Sequence, residues 1–303
     1  MMKNRMFWKE GFWRILITAC GIAVILITLS IGAFLIYKGS GTFTTYGHSI
    51  FEFLFSSDWN PADNSEGGGA VGAAIYIFGS LSTCGLALLI ATPFSLAAAI
   101  FISEISPKLG SRIFRPAVEL FTGIPSVIYG WVGLTVLVPA IKKIFHLTHG
   151  YSVLAAGIVL AVMIFPTITS VATDALLSVP KDFRKAAYGL GATRWQVIRQ
   201  IVLPAAKPGV FTGIVLGLAR AFGEALAVAM VIGKTRAFPS SILSPTTNLT
   251  AAIASDMGGA MEGGEYNTAL WSMALLLLLI SLLFILLIHV ISNKGGKKAN
   301  EHD

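Results

Sequence analysis

The sequence predicts an all-α, polytopic membrane protein with six transmembrane helices. Of the 303 residues, 55% are hydrophobic and only 12% are charged. The mean hydropathy is +0.76, and a soluble core cannot hide this much apolar surface. The apolar residues also collect into runs of the length that spans a bilayer, about 20 residues. The predicted spans are Ile15–Tyr37, Val71–Ile102, Leu120–Ile141, Tyr151–Thr173, Gly209–Gly233 and Ala269–Ile291.

The first span follows a basic N-terminus, as the apolar region of a signal peptide does. Its charge-free run is too long for such a region, and no A-x-A-like cleavage site follows. We therefore expect it to be retained. Residues 1–303 are predicted to form one transmembrane domain, with an outer segment at 38–70 and a cytoplasmic loop at 174–208. The glycines at 67–69 predict a flexible stretch in the outer segment.

Basic residues predict the orientation of these spans. Sixteen of the 22 Lys and Arg residues lie in segments on one side, at 3–14, 108–115, 181–207 and 294–298. Because cytoplasmic loops are enriched in Lys and Arg, both termini are predicted to be cytoplasmic. Topology and anionic lipid then account for the net charge of +7, and no nucleic-acid partner is expected. Cys20 and Cys84 lie inside spans and provide neither a disulfide framework nor a metal site.

The cytoplasmic stretch after span four has the pattern of two short amphipathic helices. Ser178 and Pro180 are typical of a helix start, and Gly189 and Gly191 are typical of a helix end or sharp turn. The first of the two helices is therefore predicted between these signals.

The second short helix is predicted to begin at a capping box formed by Thr193 and Gln196. Trp195, Ile198 and Val202 are expected to share one face of it. Pro204 and Pro208 are expected to end this helix before the next span. Two interpretations are open: a loop whose Trp and Arg side chains lie at the lipid headgroups, or a docking element that fits a groove on a cytoplasmic partner.

Spacing in this stretch resembles the EAA loop of ABC importer permeases: E-A-A, three residues, Gly, nine residues, then I-x-L-P. The matching residues are Ala186, Ala187, Gly191, Ile201, Leu203 and Pro204. The resemblance implies that this loop couples to an ATPase. Lys185 stands where the motif has Glu and would repel basic groups on the partner, and Asp182, one turn earlier, is a candidate substitute.

The chain has no nucleotide site of its own by sequence. Gly233-Lys234-Thr235 resembles the end of a P-loop, but Val228 stands where that motif needs Gly. The tripeptide also falls at the outer end of span five. No cofactor is therefore expected in this chain, and ATP and Mg²⁺ are expected on a partner ATPase.

Arg220 and Glu224 are the charged residues deepest in any predicted span. Their i, i+4 spacing predicts that they share a helical face. One interpretation is a self-neutralising pair that holds helices together. The other is a substrate path, in which Arg220 attracts an oxyanion and Glu224 holds Arg220 while the path is empty. Lys234 and Arg236 at the outer mouth either attract anions or simply flank a helix end.

Other features of the spans favour packing. Small residues recur every fourth position from Gly209 to Gly233, as on a helix that closely approaches another. Pro125 and Pro166 are expected to bend or break spans three and four, either for packing or to expose backbone to a pathway. His289 in span six is expected to be packed or interfacial.

Three further stretches resemble the PstC-type permeases of phosphate ABC importers, more than their PstA-type sisters. They are FLFSSDWNP at 53–61, TGIPSVIYGWVGL at 122–134 and LGLARAFGEALAVAMVIG at 216–233. The resemblance implies the type I importer permease fold and a transport role for Arg220 and Glu224. It also implies a PstA-like partner, two ATPase subunits and an extracytoplasmic phosphate-binding protein.

Other functions stay open at this stage. The alternative substrates within the same class are molybdate, sulfate and phosphonate. A different class, the ion-coupled secondary carrier, would use Glu224 as a proton relay and need no ATPase. A membrane-embedded enzyme is disfavoured because no nucleophile–base pair or metal cluster occurs at catalytic spacing.

Overall fold

The computed structural model describes the backbone of residues 2–300 and the side-chain surroundings of residues 13–287 and 290. The first elements are α1 (Met2–Thr44), α2 (Ile50–Phe55), the antiparallel strands β1 (Trp59–Asn60) and β2 (Ala70–Val71), α3 (Ala74–Ile100), α4 (Pro107–Leu109), α5 (Arg115–Gly123), α6 (Ser126–Val132) and α7 (Val138–Ile144). They are followed by α8 (Val153–Ser178), α9 (Lys181–Gly189), α10 (Arg194–Val197), α11 (Leu203–Gly223), α12 (Leu226–Val231), α13 (Leu249–Asp256) and α14 (Glu265–Asn300). Five-residue π-helical turns occupy Phe101–Ile105, Gly110–Phe114, Gly133–Leu137 and Ile198–Val202.

Six helices in the described part of the chain are long and apolar enough to cross a membrane, which confirms the predicted fold class. Their bounds are Trp13–Thr44, Ala74–Ile105, Ser126–Ile144, Val153–Ser178, Arg194–Gly223 and Glu265–Leu287. Helix α8 is the central one: 67% of its apolar window is buried, against 0% for the first span. The first span packs mainly on α14 and leaves the rest of its surface for lipid or another chain.

The small-residue ridge on α11 packs against α8, as its spacing predicts. A Cβ atom on Gly209 would lie 2.5 Å from the Cβ of Ala175, and one on Gly217 would lie 2.6 Å from Cγ1 of Ile168. Neither glycine leaves room for a side chain, so the two backbones approach as closely as this motif allows. Packing is therefore the role of this ridge.

Two expectations about the proline and serine signals are wrong. The second cytoplasmic helix does not end at Pro204 or Pro208, because α10, the π turn and α11 form one continuous helix over Arg194–Gly223. The π turn directly before Pro204 widens the helix, which relieves the clash that a proline ring makes with the preceding turn. Ser178 does not cap α9; it is the last residue of α8, and Pro180 precedes the first turn of α9.

The prolines in spans three and four behave differently from each other. Span three is broken at Ile124 and Pro125, where the backbone is extended between α5 and α6. Pro166 lies inside α8, which continues through it, so of the two expected effects, a bend or a break, the break is wrong. His289 lies outside the described side chains.

The outer segment is ordered by a buried carboxylate. The Glu265 side chain at the start of α14 has 0% exposure, and its oxygens accept hydrogen bonds from the backbone N–H groups of Ala62 (2.6 Å), Gly68 (3.0 Å) and Gly69 (2.9 Å). His48 lies 2.8 Å from the same carboxylate. The glycine run at 67–69, expected to be flexible, is therefore wrapped around Glu265 and serves as its hydrogen-bond donor.

Candidate functional site

Arg220 lies near the C-terminal end of α11, half-buried against α8. Its Nη1 donates to Oγ1 of Thr167 at 2.8 Å. A guanidinium carries five N–H donors, and among the described residues this is its one hydrogen bond to protein. A permanent charge at this depth is therefore left with most of its donors unused.

The helix that carries Arg220 breaks immediately after it. Helix α11 ends at Gly223, Glu224 has an extended backbone (φ −79°, ψ 119°), and α12 begins at Leu226. The prediction that Arg220 and Glu224 share a helical face is therefore wrong. Seven ion pairs join the described side chains, and neither residue belongs to one.

Glu224 takes part in the hydrogen bonds that satisfy the backbone groups at the break in the helix. Its Oε1 accepts from the N–H of Ala227 at 3.2 Å, and its backbone carbonyl accepts from Oγ1 of Thr250 at 2.8 Å. Backbone groups freed inside a membrane must find partners within the protein, and these two bonds supply them. Neither contact holds Arg220, so Glu224 does not restrain it in this structure.

A groove of about 460 Å³, lined by four polar residues together with Pro166 and Val171, lies beside the Thr167 partner of Arg220. Its lining includes Thr167 and Ser170 on α8 and Glu119 and Thr122 on α5. At the end of the groove lined by Glu119, Arg115 bridges Glu119 and Asp174 at 3.2 Å each. A polar stripe therefore runs along one side of α8, beginning next to Arg220.

Sequence reasoning overlooked this stripe. The signal was present: Thr167, Ser170 and Asp174 follow one another at helical spacing at the end of predicted span four. Little in the sequence indicates the helix break after Arg220, because no proline stands there. The hydrogen bond that Thr250 on α13 donates to the Glu224 carbonyl is a tertiary contact that only the structure reveals.

Of the two predicted short helices, the first forms as α9, whereas the second forms only as the start of the long helix over Arg194–Gly223. A turn at Gly191 with a left-handed backbone (φ +81°) joins them. The Thr193–Gln196 capping box is present. The predicted shared face is only partly right: Ile198 and Val202 are buried, whereas Trp195 is 59% exposed. Ala187 is buried, and the other motif residues are exposed or half-exposed, namely Ala186, Gly191, Ile201, Leu203 and Pro204.

Large apolar side chains stand free around this turn. Leu190 is 90% exposed, and Phe183, Tyr188 and Trp195 are also exposed. Lys185 contacts Asp182 at 3.0 Å, so each neutralises the other on the surface. We call the four exposed apolar residues Phe183, Tyr188, Leu190 and Trp195 the cytoplasmic patch.

Buried charge anchors the loop to the end of α3. Arg184 holds both carboxylate oxygens of Glu104, at 2.6 and 3.3 Å, and also donates to the carbonyl of Leu176. Arg194 donates to the backbone carbonyls of Glu104 and Ile105. The loop is thus fastened to two transmembrane helices rather than hanging free.

The fold and this arrangement define a class: a multi-pass inner-membrane component of a transport system. The chain belongs to the family described as binding-protein-dependent transport system inner membrane component, whose model matches residues 91–294. It is a transport component, and the fold is that of type I ABC importer permeases.

Individual similar proteins indicate which kind of permease this chain resembles. The chain is 48% identical over 281 residues to a protein of Bacillus subtilis named probable ABC transporter permease protein YqgH, covering 93% of this chain and 90% of that one. It is 38% identical to the phosphate transport system permease protein PstC of Pasteurella multocida, covering 91% of each chain. It is 35% identical to the PstC of Haemophilus influenzae, covering 90% of this chain and 88% of that one.

Solved structures share the fold. A chain of a bacterial alginate ABC transporter aligns with a TM-score of 0.60 at 19% identity, covering 95% of this chain and 97% of that one. A chain of the MetNI methionine ABC transporter aligns with a TM-score of 0.56 at 20% identity, covering 73% of this chain and 94% of that one.

Proposed function

We propose that this chain is the permease subunit of an ATP-driven phosphate importer and forms part of the path for inorganic phosphate. The observation that carries the proposal is Arg220, a half-buried guanidinium with one hydrogen bond to protein and the groove beside it. Relatives named phosphate permeases, similar over most of the chain, support the choice of substrate.

The chemistry suits an oxyanion. An arginine in mid-membrane costs at least about 2.5 kcal/mol, and the cost falls when an anion occupies its unused donors. Phosphate loses its water shell on entering the membrane, and a permanently charged, forked guanidinium replaces part of that shell. Glu224 stabilises the helix break next to Arg220 through its bonds to Ala227 and Thr250, so we retain both residues as path residues.

Partners follow from the surfaces left uncovered. The groove beside Arg220 is open on the side that a PstA-like permease chain would close, giving a heterodimer. The cytoplasmic patch fits a groove on one of the two ATPase subunits, and the second ATPase subunit would bind the PstA-like chain. The coupling residues of this chain are Asp182, Lys185, Ala186, Ala187, Gly191, Ile201, Leu203 and Pro204. A phosphate-binding protein would dock on the outer face, and both termini would lie in the cytoplasm.

The Lys185–Asp182 pair accounts for the missing glutamate of the motif. A lone lysine there would repel basic groups on an ATPase, but Asp182 neutralises it at 3.0 Å. Binding of ATP and Mg²⁺ to the partner ATPases would move α9 and α10. Because α9 and α10 are hydrogen-bonded to two transmembrane helices, those helices would move as well. No cofactor on this chain takes part.

The test is uptake of labelled phosphate into vesicles that contain this chain and the chains encoded beside its gene. Uptake is energised by ATP in one arm and by a proton gradient in the other. We expect uptake with ATP alone, and Arg220→Gln should reduce it by about 10- to 100-fold, because a hydrogen bond to a charged group contributes about 1.5–3 kcal/mol. Assembly with the partner chains should be unchanged.

Arg112→Gln is the matched control, since Arg112 is an exposed cytoplasmic arginine outside the groove. Unchanged uptake by Arg220→Gln would overturn the role of Arg220. Gradient-driven uptake without ATP would favour a secondary carrier. Complete inhibition by excess molybdate, sulfate or phosphonate would move the substrate to that oxyanion.

A further inference from the structure

A second polar cavity lies on the outer side of the molecule, away from the Arg220 groove. It has a volume of about 60 Å³, and its polar lining comes from three separate parts of the chain. Those polar residues are Tyr76, Lys234, Arg236, Thr247, Ser255 and Asp256. The fold thus brings two cations, three hydroxyls and one carboxylate together around one small space.

The cavity has an unmet donor. Tyr76 is 1% exposed, and its hydroxyl has no hydrogen-bond partner within the part of the chain that the structure describes. Buried hydroxyls are almost always hydrogen-bonded, and an exception calls for an explanation. Thr247 is also buried, at 3% exposure. A ligand with acceptor oxygens in the cavity would supply the partner that Tyr76 lacks.

Size and charge both restrict the ligand. A cavity needs about 15 Å³ to hold one water molecule, so this one has room for about four oxygen-sized groups. A tetrahedral oxyanion has four oxygens. Lys234 and Arg236 outweigh Asp256 by one charge, so the lining is complementary to a monoanion. Asp256 accepts from Tyr266 at 2.6 Å and from Arg236 at 3.2 Å.

The backbone is shaped to present these cations. Gly233 (φ +98°) and Lys234 (φ +53°) both adopt a left-handed conformation, which is uncommon for a lysine. Thr246 donates to the carbonyl of Ile232, and Thr235 donates to that of Thr246, so this turn is held in place by its neighbour in the fold. A strained turn of this kind, kept by surrounding bonds, is characteristic of ligand sites.

We propose that this cavity is an outer binding site for a protonated tetrahedral oxyanion, occupied before the anion reaches Arg220. The proposal deepens the proposed function and rests on it for the identity of the anion as phosphate. Lys234, Arg236 and Tyr76 donate to the oxygens. Asp256 accepts a hydrogen bond from the P–OH group that dihydrogen phosphate carries and sulfate lacks, which gives the site a basis for selectivity.

The test is a cysteine-protection assay with inorganic phosphate as the probe. Ser255→Cys, in a chain that also carries Cys20→Ser and Cys84→Ala, places a single thiol at the exposed rim of the cavity. The assembled transporter in outward-accessible vesicles is labelled with a negatively charged, membrane-impermeant thiol reagent. We expect phosphate to slow labelling at least about fivefold and sulfate at equal concentration to leave it unchanged.

Adding Arg236→Gln should abolish the protection, whereas adding Arg112→Gln should preserve it. In uptake assays, Arg236→Gln should raise the KM for phosphate about tenfold and leave kcat unchanged. No protection by phosphate in the Ser255→Cys chain would overturn the site, and equal protection by sulfate would overturn its selectivity. Because labelling needs no transport, protection without ATP-driven uptake would instead count against the proposed function and leave the site standing.

Discussion

Glu265 and Arg220 are both charged side chains held at depth, yet their surroundings are opposite. Glu265 is fully buried and has four donors: the His48 ring and three backbone N–H groups. Arg220 is half-buried and uses one of its donors, toward Thr167. A charge whose partners are complete is a structural element. A charge with donors left over is ready for a ligand, and the two residues therefore predict different mutant behaviour.

The largest effect is expected at Glu265, where a substitution tests whether the residue has a structural role. Glu265→Ala leaves four donors without an acceptor and should lower the free energy of unfolding by about 3–5 kcal/mol, the range for breaking a buried charge pair. The melting temperature of the purified chain in detergent measures this. Glu262→Ala, at an exposed position nearby, is the control. A variant that keeps its melting temperature but loses uptake would place Glu265 in the path instead.

Arg184, in the cytoplasmic loop, is a second charged side chain whose hydrogen-bond donors have partners within the protein, like the carboxylate of Glu265. Its guanidinium spans both oxygens of Glu104 and a backbone carbonyl. Lysine has the charge but not the fork, so Arg184→Lys should cost about 1–3 kcal/mol and loosen α9 from α3. We expect the assembled transporter to keep hydrolysing ATP while phosphate uptake falls several-fold. Arg199→Lys, at an exposed position, should change neither. A parallel loss of both activities would show a folding defect rather than a coupling defect.

His48 gives the smallest effect, and it depends on pH. Burial alone would lower its pKa, but the hydrogen bonds and charges of Glu265 and Glu52 outweigh burial, so the pKa is raised above 6.5. The raised pKa means that the stabilisation is complete below pH 6.5, the unfolded value, and is lost as the pH rises through the folded pKa. We expect a loss of about 1 kcal/mol on that rise.

Melting curves between pH 6 and pH 9 test this expectation. His48→Gln keeps a hydrogen-bond donor without a titrating charge, so it should flatten the dependence in that range. An unchanged slope in the variant would mean that other groups carry the pH dependence.

Sequence was a good guide to whatever local chemistry decides. The six spans follow from hydropathy, the Gly209–Gly217 ridge from its spacing, and the Thr193 cap from its capping box. The errors arose where distant residues decide. Pro204 failed to end a helix because a π turn precedes it, and the glycines at 67–69 are fixed by Glu265, about 200 residues further along. The break after Arg220 depends on Thr250.

The outer cavity shows the same limit. Lys234 and Arg236 were visible at the mouth of span five, but nothing in the sequence places Tyr76 beside them. Tyr76 lies on α3 and the two cations lie in the loop after α12, so only the tertiary fold brings the three together. Pairs of residues with no regular spacing are found by folding the chain, because helical periodicity reports neighbours on one element alone.

The unbroken helix over Arg194–Gly223 has a mechanical consequence. From the turn at the cytoplasmic surface to Arg220 it is a rod about 39 Å long, at 1.5 Å per residue. A tilt of about 5° at one end of such a rod moves the other end by about 3 Å, roughly one hydrogen-bond length. Because no loop lies between the surface turn and Arg220, we expect a tilt of this helix at the surface to displace the guanidinium.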